Sequence, residues 1–345
     1  MSLLLSQPST LCFRKPVFVR SSPVHSNNVF SSTSLPQTPP CVIMYVDPCG
    51  ADPGKLVIRR AGESTPLEKK LPMELTNKMR PIGSSNGWLT TLKDGVMGLQ
   101  DVDLNLVASD VDPKRISLPP LVTLPNCQTQ IVTNVAMSSS SPEDEDCVVA
   151  VKFLGPQISF FRPAQSNSEW INIRVENPCF FSSPVMYSKK DDMFRIPGSG
   201  GHLIASWDLT KPVKKPKFQR LGFRKIPNMT KDNKRRLDSC CKSEHLVESR
   251  TTGETFMVKL YKKTPETSDG IARKMQTEAL MVFKLHDKGG LVYTQDIGDL
   301  SIFLTKSEPF CVPSSSFPDM YPNHVKILDV DETTIVNLAE QKWNC

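Results

Sequence analysis

Six times beyond residue 80 the chain repeats one local phrase: a short apolar run, a tight polar turn, a second apolar run. GWLTTL turns at KDG into VMGLQDV, and CVVAVKFL turns at Gly155-Pro156 into QISFFR. PVMYS turns at KKDD into MFRI, with glycines before HLIASWDL, and LVESR turns at TTGE into TFMVKLY. VYTQDIG turns at Gly298-Asp299 into LSIFL, and VKILDV turns around Asp331-Glu332 into TTIVNL. Runs rich in Val, Ile, Phe and Tyr, bounded by Gly, Asp and Pro, read as β-hairpins. The turn centres, near residues 94, 155, 190, 252, 298 and 331, step by about 47 residues, close to the ~40–50 of a four-stranded propeller blade. Some 300 residues at this period predict an all-β fold, a β-propeller of about six to seven four-stranded blades with kelch-like degenerate repeats. A pair of β-sandwiches is the competing architecture. Propellers usually close by pairing strands from both chain ends, so PCVIMYV at Pro40–Val46 is expected to complete the last blade.

The composition fits short elements. With 29 prolines against 17 glycines, the chain is punctuated too often for long helices or long central strands. No apolar run approaches the ~18–20 residues needed to span a bilayer, so a soluble protein with no membrane partner is expected. Ten cysteines are scattered without a C-x-x-C pair. SCCKSEH, with Cys240, Cys241 and His245, lacks the second ligand pair a zinc site needs, so reduced thiols in a non-secretory compartment are expected.

The first acidic residue is Asp47. Before it stand Arg14, Lys15 and Arg20 among many serines, with no extended apolar stretch after LLL. A basic, Ser-rich, acid-free leader reads as an organellar transit peptide. Leu11, Phe13, Val17 and Phe18 beside those cations favour the mitochondrion, with the plastid as the alternative. The expected organisation is therefore a disordered transit peptide over 1–40 and a propeller over 41–345.

The chemistry-bearing phrases do not assemble into a catalytic set. VKILDVDET resembles the first motif of the haloacid-dehalogenase phosphatases, with Asp329 as nucleophile and Asp331 as general acid. Only twelve residues follow Thr333, fewer than one βαβ crossover needs, so a phosphatase using Asp329 and Asp331 is kept only as the last alternative, and Asp331 and Glu332 are expected to make a hairpin turn. PGSGGH at Pro197–His202 offers amides for an anion but lacks the Lys-Ser/Thr of a P-loop. Ser243 and His245 are read as strand residues, one facing in and one out. No catalytic, metal-binding or cofactor-binding residue, and no cofactor, is assigned.

One charge feature stands apart. Residues 211–236 hold eleven Lys or Arg against Asp232 alone, a local +10; with the leader's +3 and a total of +6, the remainder carries −7. Phe218 and Phe223 interleave with these cations. Lys211, Lys214, Lys215, Lys217, Arg220, Arg224, Lys225, Lys234, Arg235 and Arg236 are the candidate partner- or RNA-binding residues, because cations neutralise phosphates and aromatics stack on bases. The plainer reading is a solvated loop inserted between blades, with both phenylalanines facing the core.

The order of longer phrases carries a resemblance. IGSSNGWL, ISLPPL, DCVVAVKFLGPQISFFRP, SEWINI, VMYSKKDDMFRIPGSGGHLIASWDL, SEHLVESRTTGETFMVKLYKK, VFKL, DIGDLSIFL and PNHVKILDVDE follow one another through nearly the whole chain after the leader. Together they resemble the plant β-propeller family first catalogued as domain of unknown function 295, many of whose members carry an F-box. LPMELTNKM at Leu71–Met79 looks like an F-box opening, but IGSSNGWL follows too soon for the rest of one. The chain therefore resembles the organellar branch that lacks the F-box. The resemblance implies action inside the organelle, and the expected function is a non-enzymatic, monomeric scaffold for an unidentified protein partner there. Organellar RNA binding and a ubiquitin-ligase substrate-recognition subunit without its F-box are the alternatives.

Overall fold

The computed structural model describes residues 80–343 apart from 94, 102–113, 129–130, 210–214, 266–274, 306–307, 318–319 and 330–331, together with the strand backbones at 17–19, 41–47, 55–60 and 67–70. It is an all-β propeller. The first described strands, β1 (Val17–Val19), β2 (Cys41–Asp47), β3 (Lys55–Arg60) and β4 (Leu67–Lys70), form one antiparallel sheet in chain order, with β1 coming close to the next sheet.

Five blades follow. The first is β5 (Arg80–Ser85), β6 (Trp88–Lys93), β7 (Val96–Asp101) and β8 (Arg115–Ser117). The second is β9 (Val132–Met137), β10 (Val149–Phe153), β11 (Gln157–Phe161) and β12 (Ile171–Arg174). The third is β13 (Met186–Ser188), β14 (Met193–Pro197), β15 (Leu203–Trp207) and β16 (Lys217–Arg220). After β17 (Gly222–Arg224) and the helix α1 (Lys231–Asp238) comes the fourth: β18 (Cys241–Glu248), β19 (Thr255–Lys263), β20 (Gln276–Leu285) and β21 (Gly290–Thr294). β17 adds to its outer edge, parallel to β21. The fifth holds β22 (Leu300–Leu304), β23 (Phe310–Pro313), β24 (His324–Asp329) and β25 (Glu332–Asn337), in the spatial order β23-β22-β24-β25. The innermost strands β5, β9, β13, β18 and β23 pack one beside the next around the axis.

Five of the six expected hairpins form: β6–β7, β10–β11, β13–β14, β18–β19 and β24–β25 are antiparallel neighbours. Gly95, Gly155 and Gly253 supply positive φ in three of the turns, where a side chain would be strained. The sixth does not form, because β21 and β22 belong to different sheets and Gly298-Asp299 links two blades. This partly explains why the blades among the described residues number five rather than six to seven. Blades start at Arg80, Val132, Met186, Cys241 and Leu300, steps of 52 to 59 residues, wider than the spacing of the turns. Nor does Cys41–Asp47 complete the last blade; it pairs with β1 and β3. Within the basic stretch, β16 is the outer strand of the third blade, and β17 and α1 lead into the fourth.

The core lies between blades. Along β10, Val149, Val151 and Phe153 pack toward Met97 and Leu99 of the first blade, while Ala150 packs toward Phe194 and Trp207 of the third. Alternation within a strand thus feeds two interfaces, which is why blade strands read as nearly continuous apolar runs. Asn134, fully buried in β9, completes one interface with polar groups: its amide donates to the Val185 carbonyl (2.6 Å) and accepts from the Val185 N–H (2.8 Å). Lys152, also fully buried, donates to the carbonyls of Phe153, Gly155 (3.0 Å) and Phe181 (2.9 Å) and so ties the β10–β11 turn to the approach to the third blade. Burial pulls its ammonium down to about 7.

Candidate binding face at one end of the axis

The turns after β5, β13 and β18 converge with the segment entering β23 on one end of the axis. The first is Asn86-Gly87, with both residues at positive φ (52° and 92°), as a two-residue turn matching strand twist requires. From this position the Asn86 amide donates to the carbonyls of Met137 (3.1 Å) and Ser139 (3.0 Å), joining the first and second blades. Its oxygen accepts from Arg250 of the fourth. Ser85 donates to Glu308, which also accepts weakly from the Tyr187 N–H (3.4 Å), so one carboxylate before β23 reaches both the first and third blades. Glu248, at the end of β18, accepts from Ser188 Oγ (2.5 Å) and from the Lys189 (2.8 Å) and Lys190 (3.1 Å) amides, capping the β13–β14 turn. Burial and the hydrogen bond to Asp192 raise the Tyr187 phenol.

What remains open is a cavity of about 40 Å³ lined by Ser85, Asn86, Tyr187, Glu248, Arg250 and Glu308. That is room for a few waters, not for an organic substrate. The carboxylates and the guanidinium are engaged with neighbouring blades, so the polar groups here fix geometry. Lys189, Lys190 and Arg250 are exposed on these turns; Lys190 pairs with Asp287 (2.9 Å) and Arg250 with Asn86.

The phrases singled out in the sequence fall elsewhere. The Asp329 backbone pairs with Glu332 at the end of β24, while its side chain and Asp331 lie outside the described residues, as do Leu71–Met79. Glu332 is no turn residue. It is 9% exposed in β25, accepts from the Thr277 N–H (2.8 Å), Thr277 Oγ1 (3.0 Å) and Thr334 Oγ1 (2.8 Å), and pairs with Lys262 (3.1 Å), linking the fourth and fifth blades. In the PGSGGH loop the Gly200 N–H binds an internal anion, Glu244 (3.0 Å), and the Gly200 carbonyl accepts from Lys259 (3.1 Å). Ser243 and His245 share one side of β18, as residues two apart in a strand must, with Ser243 Oγ 3.1 Å from His245 Nε2. Burial drives His245 down to about 4. Among the described residues no group of three or more His, Cys, Asp or Glu is arranged to hold a metal.

Lys211 and Lys214 lie outside the described residues. Lys215, Lys217 and Arg220 lie at or near β16, Arg224 and Lys225 at β17, and Lys234, Arg235 and Arg236 on α1, all exposed. They run along the outer edge of the third and fourth blades, away from the axial opening. Sequence reasoning placed Lys190 and Thr252 in turns but missed Asn86, Arg250 and Glu308. The Asn-Gly pair inside IGSSNGWL was the available signal for Asn86; no local pattern marks Glu308.

The family described as the KIB1-4 beta-propeller matches residues 60–341. The chain belongs to that family. The KIB1-4 propeller match covers all five blades and extends into the preceding sheet. A comparison with curated proteins finds no match. Among solved structures the chain is similar to Kluyveromyces lactis Hsv2, with 10% identity over 74% of this chain and 73% of that one, at a TM-score of 0.35. It is also similar to a catalytically inactive virginiamycin B lyase from Staphylococcus aureus with quinupristin (9% identity, 74% and 79% covered, TM-score 0.34). A third is the N-terminal domain of Nup159 (10%, 83% and 68%, TM-score 0.33). Scores this low carry no argument about what this KIB1-4 propeller binds.

Proposed function

We propose that this propeller is a non-enzymatic scaffold that recognises a protein partner at the axial face formed by the β5, β13 and β18 turns. The observation that carries the reading is the contrast at that face. Its interior is a set of mutually engaged polar groups around a cavity too small for a substrate, while Lys189, Lys190 and Arg250 stand exposed on the surrounding turns, Lys190 paired with Asp287 and Arg250 with Asn86. Turns held rigidly by a packed scaffold, with cations presented outward, suit recognition rather than chemistry. Lys189, Lys190 and Arg250 fit a partner with an acidic segment, which would gain in rate and specificity from charge complementarity.

The resemblance to the F-box-less organellar branch of the domain-of-unknown-function-295 propellers, with the acid-free leader, supports action inside the mitochondrion, or the plastid as second choice. Proximity labelling with the tagged full-length chain tests both parts. The expected result is a reproducible organellar partner lost on Lys189→Glu/Lys190→Glu/Arg250→Glu and retained with Lys288→Glu. A partner set unchanged by the triple substitution would overturn the assignment of the face, and residues 1–46 leaving a fluorescent fusion in the cytosol would overturn the location.

A further inference from the structure

The outer edge of the third and fourth blades combines two features that neither core packing nor the axial face uses. The first is Phe218 in β16, 58% exposed. One side of its ring stacks on Phe180, centroids 5.8 Å apart at 21°, and Phe180 is itself fully buried. An exposed ring is thus held in a fixed plane by a buried one. Phe223, the other aromatic of the stretch, is spoken for: its ring meets His202 and Phe283 edge-on and carries the Lys259 ammonium at 4.9 Å.

The second feature is uncompensated charge. Between Lys215 and Arg236, Lys217 pairs with Asp208 (3.6 Å), Arg235 with Asp232 (3.4 Å) and Arg236 with Glu278 (3.2 Å). Lys215, Arg220, Arg224, Lys225, Lys231 and Lys234 are exposed and have no ion-pair partner among the described residues. β16 and β17 run on from each other with only Leu221 between them. At ~3.3 Å per residue, Lys217 to Arg224 spreads these cations over roughly 20–25 Å of extended backbone beside the phenylalanine.

We propose that this edge binds single-stranded nucleic acid, with a base stacked on Phe218 and phosphates held by Arg220, Arg224 and Lys225. Cations alone would serve any polyanion; the pre-oriented ring among them selects a strand whose bases are free to stack. The RNA reading of the sequence thus acquires a specific platform, and only one of its two phenylalanines.

Fluorescence anisotropy of the full chain with a labelled oligouridylate at low salt tests this. Stacking contributions of the usual size predict that Phe218→Ala weakens binding about 5- to 150-fold, and that Phe218→Leu, which keeps the contact to Phe180, also weakens it. Arg220→Gln/Arg224→Gln/Lys225→Gln should lower the slope of log affinity against log salt by about 2, at ~0.7 per phosphate. No binding at low salt, full affinity in both Phe218 variants, or equal affinity for heparin or duplex RNA would overturn the proposal. The last result would leave a plain polyanion surface. Unchanged melting temperatures in the charge variant and in at least one Phe218 variant are required for either outcome to count.

Discussion

Replacing Glu332 is the sharpest test of how the blades are held. Its carboxylate gathers two donors from Thr277, one from Thr334 and the Lys262 ammonium, and its side chain is 5% exposed, that of Lys262 20%. Glu332→Ala removes one partner of a largely buried ion pair and leaves the Thr277 N–H without its acceptor. Losing one partner of a buried pair costs about 3–5 kcal/mol. At about 2 °C per kcal/mol for a domain of this size, the melting temperature should fall by roughly 6–10 °C. Glu332→Gln keeps an acceptor oxygen but not the charge, so an intermediate loss is expected. Combined with Lys262→Met, the two effects should fall short of additive by about 0.5–3 kcal/mol.

The pH dependence follows with a definite sign. Burial alone would raise the Glu332 carboxyl, but the Thr277 amide, the Thr334 and Thr277 hydroxyls and Lys262 outweigh it and hold the group below its usual 4.5. Its contribution is therefore fully present above about pH 4.5 and disappears as pH falls through the lower folded-state value. The stability gap between wild type and Glu332→Gln, measured by denaturant titration, should narrow over that acidic range. A melting temperature for Glu332→Ala within 2 °C of wild type, or a gap that widens on acidification, would refute the reasoning.

Other positions make smaller claims. Asn134→Ala strands both the N–H and the carbonyl of Val185 in a dry interface, and a loss of about 2–4 kcal/mol is expected by chemical denaturation. Gly201 has φ +73°, and a Cβ there would come within 2.8 Å of the Met257 sulfur and 3.0 Å of Phe223; Gly201→Ala should cost at least about 2 kcal/mol, whereas Gly253→Ala, in open space, should cost about 1. His245, lowered to about 4 from 6.5, contributes fully above pH 6.5 and loses its contribution as pH falls toward 4, where the unfolded chain takes up the proton first. A melting-temperature profile for His245→Gln should be flatter than wild type across that window.

The local half of this fold was legible and the long-range half was not. The turns at residues 94, 155, 190 and 252 announce themselves through glycine, aspartate and flanking β-branched or aromatic residues, because a hairpin is decided by its own few residues. What escaped depends on register across tens or hundreds of positions. VYTQDIGDLSIFL has all the marks of a hairpin, yet its two strands belong to different blades. Glu332 reads as a turn acid beside Asp331 until Thr277 and Lys262, some 55 to 70 residues away, are seen to surround it. The basic stretch reads as a loop because its charges hide the short β patterns of KFQR and GFR. Its two phenylalanines, alike in sequence, part company only when one meets Phe283 and the other is left facing water.

Strand β17 has a mechanical consequence. Neighbouring blades of a disc joined chiefly at the hub can splay like the sticks of a fan. Between the third and fourth blades a backbone ladder also joins the circumference, where Gly222, Phe223 and Arg224 run parallel to Gly290, Leu291 and Val292. Opening the fan there means shearing a backbone ladder, not only parting side chains. This sector should move as one stiff wedge, leaving joints held by side chains alone to take up more of whatever flexing a bound partner demands.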